Sequence, residues 1–223
     1  VRVSQDQWTD VDRYITDHLV PSDEELDAAL ADSAANGLPA INVAPNQGKL
    51  LHILARSIGA KRILEVGTLG GYSTIWLARA LAPGGKVITL EYEPKHAAVA
   101  KKNIERAGLS ASVEIRIGRA IDTLPVIAAE GGPPFDFVFI DADKPGNADY
   151  FAWAVKVTRI GGVIIVDNVV RQGEVIDPAG DANAQGARRL FEAMEKEPKV
   201  SATAVQTVGS KKWDGFAIAV VTG

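Results

Sequence analysis

A chain of 223 residues, 47% of them apolar and 23% charged, has the composition of an ordinary globular protein and enough length for one α/β domain with a sizeable core. Its formal net charge of −4, with no long run of Lys or Arg, argues against nucleic acid or a membrane surface as partner, because clustered positive charge holds both. The absence of cysteine excludes disulfides, thiolate nucleophiles and thiolate metal sites, so any metal needs His, carboxylate or amide ligands.

No apolar run reaches the ~18 residues of a membrane span, and the N-terminal stretch carries no signal-peptide pattern, so the cytoplasm is the expected location. Residues 1–45 read as a helical segment placed ahead of a sheet domain that occupies residues 46–223. Within that segment residues 10–20 and 23–33 have helical patterning. Ser22 is a candidate N-cap for the second helix, and Pro39 and Pro45 interrupt the stretch beyond it.

Residues 47–58 predict a helix with Leu50, Leu51, Leu54 and Ile58 on one face. Residues 62–66 predict a short buried strand, residues 72–81 a helix closed by Pro83-Gly84-Gly85, and residues 86–91 the next strand. The helix expected over 94–107 has Pro94 near its start and Gly108 just past its end, the usual asymmetry of helix termini. Val113, Ile115 and Ile117 alternate as in a half-buried strand. Residues 135–140 and 163–166 are the continuous apolar runs of central parallel strands. The rhythm predicts an open, doubly wound sheet with helices on both faces. Residues 200–207 and 216–222 are strand-like and separated by about eight residues, too few for a helical crossover, so this last pair should be antiparallel.

The first strand leads through Gly67-Thr68-Leu69-Gly70-Gly71 into a helix, where glycine lets backbone approach a ligand closely. The G-x-x-G-G pattern is not the dinucleotide fingerprint, and alone it serves equally well as a plain strand-to-helix turn. Two acids add to it. Glu91 ends the second strand, where an acid accepts hydrogen bonds from ribose hydroxyls. Glu65 stands beside the turn, placed to face a cationic ligand. Carboxylates here suit S-adenosylmethionine, which carries an ammonium and a sulfonium but no phosphate, better than NAD.

Asp141-Ala142-Asp143-Lys144 follows the fourth strand and Asp167-Asn168 the fifth. Neighbouring parallel strands place these ends side by side, so Asp141, Asp167 and Asn168 are expected to converge. Two carboxylates and an amide oxygen suit Mg²⁺ first, and also Mn²⁺ or Ca²⁺. Each residue taken alone serves equally well as a helix cap or turn former. Lys144 lies within reach of the same pocket. His18, His52 and His96 fall in expected helices and receive no chemistry, Trp76 and Trp153 read as packing residues, and Trp213 falls in the last hairpin loop, where an aromatic can line a substrate.

These residues resemble the cation-dependent O-methyltransferases, meaning caffeoyl-CoA O-methyltransferase with its bacterial relatives and, more distantly, catechol O-methyltransferase. The resemblance runs from about Gly37 to the C-terminus and is carried by Asn42-Val43, the 64–73 turn, Glu91, Gly118-Arg119-Ala120, Asp141 to Lys144, and Gly161-Gly162 through Val170. It implies a class I methyltransferase fold, a doubly wound, mostly parallel seven-stranded sheet with an antiparallel last strand. It implies that Asp141, Asp167 and Asn168 ligate the metal and that Lys144 is the general base. Val43, Glu65, Gly67, Thr68, Ser73, Glu91, Ala120 and Asp141 would contact S-adenosylmethionine. A homodimer with the N-terminal helices near the substrate entrance is also implied.

The chain departs from the plant-type pattern at Asn147, where a Tyr is usual, while Tyr150 is kept. Val169-Val170-Arg171-Gln172 replaces the aromatic segment after Asp-Asn. Both changes fall near the acceptor, so a small catechol or flavonoid-like phenol is expected rather than a coenzyme A thioester. A non-catalytic adenosyl-cofactor sensor would need no metal set, and a nucleic-acid methyltransferase would bring a basic face, so both fit less well.

Overall fold

In the computed structural model, residues 4–21 and 23–223 are described. The chain starts with two capped helices. Ser4 caps α1 (Gln5–Leu19) by accepting from the Gln7 amide, and Asp23 caps α2 (Glu24–Ala35) by accepting from that of Leu26. The expected cap Ser22 lies outside the described residues. Glu24, Glu25 and Asp27 in the first turn of α2 complement the positive end of the helix dipole. Pro45, read from sequence as an interruption, is the first residue of α3 (Pro45–Ser57), where its fixed φ suits helix initiation and its missing N–H goes unmissed.

Strands and helices then alternate: β1 (Arg62–Val66), α4 (Tyr72–Ala80), β2 (Lys86–Glu91), α5 (Pro94–Arg106), β3 (Val113–Ile117), α6 (Ala120–Ala129), β4 (Phe135–Ile140), α7 (Asn147–Val157), β5 (Thr158–Asp167) and α8 (Ala182–Lys196). The chain ends with β6 (Val200–Gly209) and β7 (Lys212–Val221). Seven strands form one sheet in the order β3-β2-β1-β4-β5-β7-β6. Neighbours among β1 to β5 pair in parallel, and β7 runs antiparallel to both β5 and β6. This is the expected α/β sheet of a class I methyltransferase, with its last strand reversed.

Side-chain alternation along the strands feeds a core on each face. Leu64, Ile88, Val138 and Ile164 pack with Leu124 of α6, Phe151 of α7 and Leu190 of α8. Ile63, Val87, Phe137 and Ile165 pack with Leu51 of α3, Ile75 of α4 and Ile104 of α5. Because both faces are covered, β4 and β5 carry the apolar runs 137–140 and 163–166.

Register matters most for function. Val66 pairs with Leu90 on one side and Ile140 on the other, and Ile140 pairs with Val166. The next residue of each strand, namely Glu91, Gly67, Asp141 and Asp167, therefore falls in one row across the carboxyl edge. The chain winds outward from β1 to β3 and then returns to β4, so the reversal of winding lies inside this row. Ligands of open α/β sheets bind in that crevice.

Several sequence expectations are corrected. Gly209 pairs with Lys212, so the final hairpin turns on Ser210 and Lys211 alone, not on an eight-residue gap. The gap looked like a loop because Gly209 through Gly215 lack apolar alternation. Trp213 consequently sits in β7, where its indole N–H donates to Gln206 at 3.1 Å and its ring packs over Gly173. β5 begins at Thr158, not Val163. β3 is an edge strand, and Ile117 at its end is exposed rather than half-buried.

Candidate active site

A cavity of about 910 Å³ opens above the row of strand ends, a size within the ~300–1,000 Å³ range of small-molecule sites. Val43, Gly67, Thr68, Ser73, Glu91, Ala120, Asp141, Lys144 and Asn168 all line it. The structure thus gathers nine of the sequence-selected residues around one space. Glu65 and Asp167 lie just beneath it, both buried.

The floor is set by Gly67, whose φ of 103° only glycine adopts without strain. A Cβ at this position would stand 2.1 Å from the Asp141 carbonyl oxygen. Glycine therefore allows β1 and β4 to end against each other, with the Asp141 amide donating to the Val66 carbonyl at 2.8 Å. Gly71, with φ 84°, starts α4 in the left-handed region that ends the turn.

Glu91 braces the turn beside it. Its Oε2 accepts from the amides of Thr68 and Leu69 at 3.2 and 2.7 Å, and its Oε1 accepts from that of Glu93 at 2.9 Å. The carboxylate staples the glycine-rich turn to the end of β2 and keeps part of its lone-pair capacity for the cavity. His96 of α5 brings Nδ1 to 3.5 Å from Glu91 Oε1 and lines the same cavity. Sequence reasoning passed over His96 because a helix histidine has no distinguishing pattern. The available signal was its place in the first turn after Glu91 and Pro94.

Glu65 differs from expectation. It is wholly buried and its carboxylate accepts from Ser73 at 2.6 Å, Thr89 at 2.7 Å and Thr74. Burial pushes it up to about 7 despite these hydroxyls, and the charge of Asp141 adds to the rise. Through Ser73, and through Thr89 and Thr68 in turn, it anchors hydroxyls that line the cavity.

On the β4–β5 side, Asp141 Oδ1 accepts from Lys144 Nζ at 2.7 Å, and Lys144 is 8% exposed. The lysine is held by its backbone. Asp143 caps the short 3-10 turn at residues 144–146, Tyr150 donates to Asp143 at 2.6 Å, and Gly186 of α8 lies so close that a Cβ would meet the Lys144 carbonyl at 2.2 Å. Burial and hydrogen bonding to the Asp143 carboxylate push the Tyr150 phenol above its ordinary range, so it serves as a donor.

Asp167 accepts from the Asn168 amide at 2.8 Å through Oδ1 and from Gln47 Nε2 of α3 at 2.7 Å through Oδ2. Burial, followed by the charge of Asp141, pushes it up to about 7. Asn168 takes a left-handed φ of 57° and lines the cavity. Among the described residues no three His, Cys, Asp or Glu side chains gather as a metal cage. The candidate set is instead two mutually repelling carboxylates and one amide. That donor chemistry fits a hard divalent cation, which would relieve the repulsion. Gln47 was invisible in sequence, lying 120 positions from the carboxylate it supports.

Trp213 is not among the cavity-lining residues. Trp76 is buried against Gly48 of α3, and Trp153 packs at the core's margin with Lys156 4.2 Å from its ring, as packing residues should. No helix among the described residues is long and apolar enough to cross a membrane.

Comparison with known proteins agrees with this geometry. An O-methyltransferase family model matches residues 19–216, beginning well ahead of Gly37. The chain is 54% identical over 212 residues to a catechol O-methyltransferase of Mycobacterium tuberculosis, covering 95% of each. The structure matches an O-methyltransferase of Bacillus cereus solved with SAH at a TM-score of 0.97 and 56% identity, over 98% of this chain and 100% of that one. It also matches the O-methyltransferase TomG of Streptomyces achromogenes, solved with SAM, at a TM-score of 0.96 and 48% identity over the whole of both chains. With that extent of match in sequence and in structure, the chain belongs to the O-methyltransferase family of enzymes.

Proposed function

We propose that this O-methyltransferase moves a methyl group from S-adenosylmethionine to one hydroxyl of a small vicinal diphenol, with a divalent cation at Asp141, Asp167 and Asn168. The observation that carries the reading is the single row of Glu91, Gly67, Asp141 and Asp167 across four neighbouring strand ends, with Lys144 bonded to Asp141. The names and bound SAM or SAH of its relatives support the donor and the acceptor class.

Each part of the row has its work. The close turn at Gly67 to Thr68, with Ser73, Val43 and Ala120 around it, accepts the amino-acid and adenosine portions of the donor. Glu91 holds the ribose with the lone pairs left after bracing the turn. When bound, Mg²⁺, or Mn²⁺ or Ca²⁺ in its place, would offer open positions to two adjacent acceptor hydroxyls and acidify the one that reacts. Lys144, in its neutral form, takes the proton from that hydroxyl at Nζ. The walls hold the acceptor oxygen in line with the methyl carbon, so that the C–O bond forms as the C–S bond breaks. Positioning of this kind supplies much of the rate.

The same reading includes a homodimer. β6 is an edge strand whose Val205 and Val208 are exposed, and α1, which packs beside it, exposes Val11 and Tyr14. An apolar stretch on an open sheet edge suits covering by a second copy. Sedimentation at micromolar concentration checks this. This reading gives no role to nucleic acid or to a membrane.

Incubation with S-adenosylmethionine, Mg²⁺ and a panel of vicinal diphenols, read by mass, tests the assignment. A product heavier by one methyl group is expected, lost in excess EDTA and restored to some degree by Mg²⁺, Mn²⁺ or Ca²⁺. Full turnover in EDTA would remove the metal from the account.

A further inference from the structure

The loop after β5 carries an arginine that the methyl-transfer chemistry leaves unused. Arg171 lines the cavity together with Asn168, Asp143, Lys144 and Tyr150. Its backbone takes the left-handed φ of 56°, uncommon for a side chain of this size. Such a conformation is strained and persists only where the surroundings enforce it. Asp214 of β7 enforces it here, its Oδ1 accepting from the amides of Val170 at 3.1 Å, Arg171 at 3.0 Å and Gly215 at 2.9 Å.

Among the described residues the Arg171 side chain makes no hydrogen bond and no ion pair, and its Nε is buried without a partner. Asp181, the acid that feels its charge, gives its oxygens to the Ala184 amide and to Asn183 instead. The other basic side chains of the cavity wall differ. Lys144 is bonded to Asp141, and Arg119 lies 3.9 Å from Asp122 on an exposed edge. An unpaired guanidinium in a cavity wall is a ready fork for a planar oxyanion.

We propose that Arg171 forms an anionic subsite, so that the preferred acceptors are vicinal diphenols carrying a carboxylate on a ring substituent. The inference rests on the diphenol reading above and narrows it. Arg171 stands three residues beyond Asn168 and lines the same cavity, so a carboxylate on an acceptor seated at Asp141 and Asn168 shares that space with the arginine. The carboxylate replaces the missing counter-ion. A neutral ester of the same acceptor leaves the guanidinium unpaired.

The test is kcat/KM for caffeic acid and 3,4-dihydroxybenzoic acid, each beside its methyl ester, in the wild type, Arg171→Gln and Arg171→Lys. Hydrogen bonds to a charged group are worth enough to predict a 10- to 100-fold preference of the wild type for each acid over its ester. Arg171→Gln should collapse that ratio to within about threefold, and Arg171→Lys should retain part of it. An acid-to-ester ratio that is near one in the wild type, or unchanged in Arg171→Gln, overturns the subsite while leaving diphenol methylation intact. Failure of the wild type to methylate any of the four compounds refutes the diphenol reading itself, and the subsite with it.

Discussion

Single side chains in this site hold two tasks at once, and Glu91 shows what that entails. As the acceptor for the amides of Thr68, Leu69 and Glu93 it fixes the turn, and as a cavity wall it is the proposed holder of the ribose. Glu91→Ala is therefore expected to weaken S-adenosylmethionine binding 10- to 100-fold and also to destabilise the apo protein by about 1–3 kcal/mol. Calorimetric titration beside chemical unfolding checks both, and unchanged cofactor affinity would contradict the placement. Glu65 makes the complementary case, a carboxylate that folding prefers protonated. Its folded value of about 7 exceeds the ordinary 4.5, so the unfolded chain releases the proton first as pH rises. Stability should accordingly fall between about pH 4.5 and 7 and level off above, by up to ~3 kcal/mol from this group. Glu65→Gln, neutral throughout, should flatten that segment of the curve in urea titrations at pH 5 and 8. Parallel curves for the two proteins would refute it. For Lys144→Ala the expected loss is ~10²–10⁴ in kcat with cofactor affinity nearly kept.

At the scale of elements, what the sequence made legible came from local physics. Central strands buried on both faces must be apolar runs, and Pro94 and Gly108 bracket α5 as helix termini require. The acids after β4 and β5 were found because consecutive parallel strands end side by side. What stayed hidden was long-range or concealed by composition. Gln47 reaches Asp167 only because α3 lies over the sheet, and the depth of Glu65 depends on hydroxyls from α4 and β2. The final hairpin was misjudged because Gly209 to Gly215 hide a strand start behind polar residues. Close approach was anticipated at the glycine turn, and Gly67 is where it can be measured. With φ 103° and the Asp141 carbonyl 2.1 Å from any Cβ, Gly67→Ala must part β1 from β4. A stability loss of ~1–3 kcal/mol and a collapse of cofactor binding are expected, read by thermal unfolding and calorimetry. A variant with wild-type affinity would show that the turn tolerates a wider gap.

For the whole molecule, the sheet's reversal of winding, the two covered faces and the row of strand ends combine into a claim about substrate geometry. Donor residues gather on the β1–β2 side of the cavity, while Asp141, Lys144 and Asn168 gather on the β4–β5 side with Asp167 beneath them. In the proposed reading three protein donors hold a cation that takes six or more oxygens, which leaves places for an acceptor with two adjacent hydroxyls. An acceptor with one hydroxyl loses both that grip and the positioning that aligns its oxygen with the methyl group. The direct measurement is methyl transfer to caffeic acid and to p-coumaric acid at matched concentration, with Mg²⁺ and S-adenosylmethionine present and the carboxylate common to both. Methylation of caffeic acid with no measurable turnover of p-coumaric acid is the predicted result, and comparable rates on the two would contradict the metal-assisted diphenol mechanism.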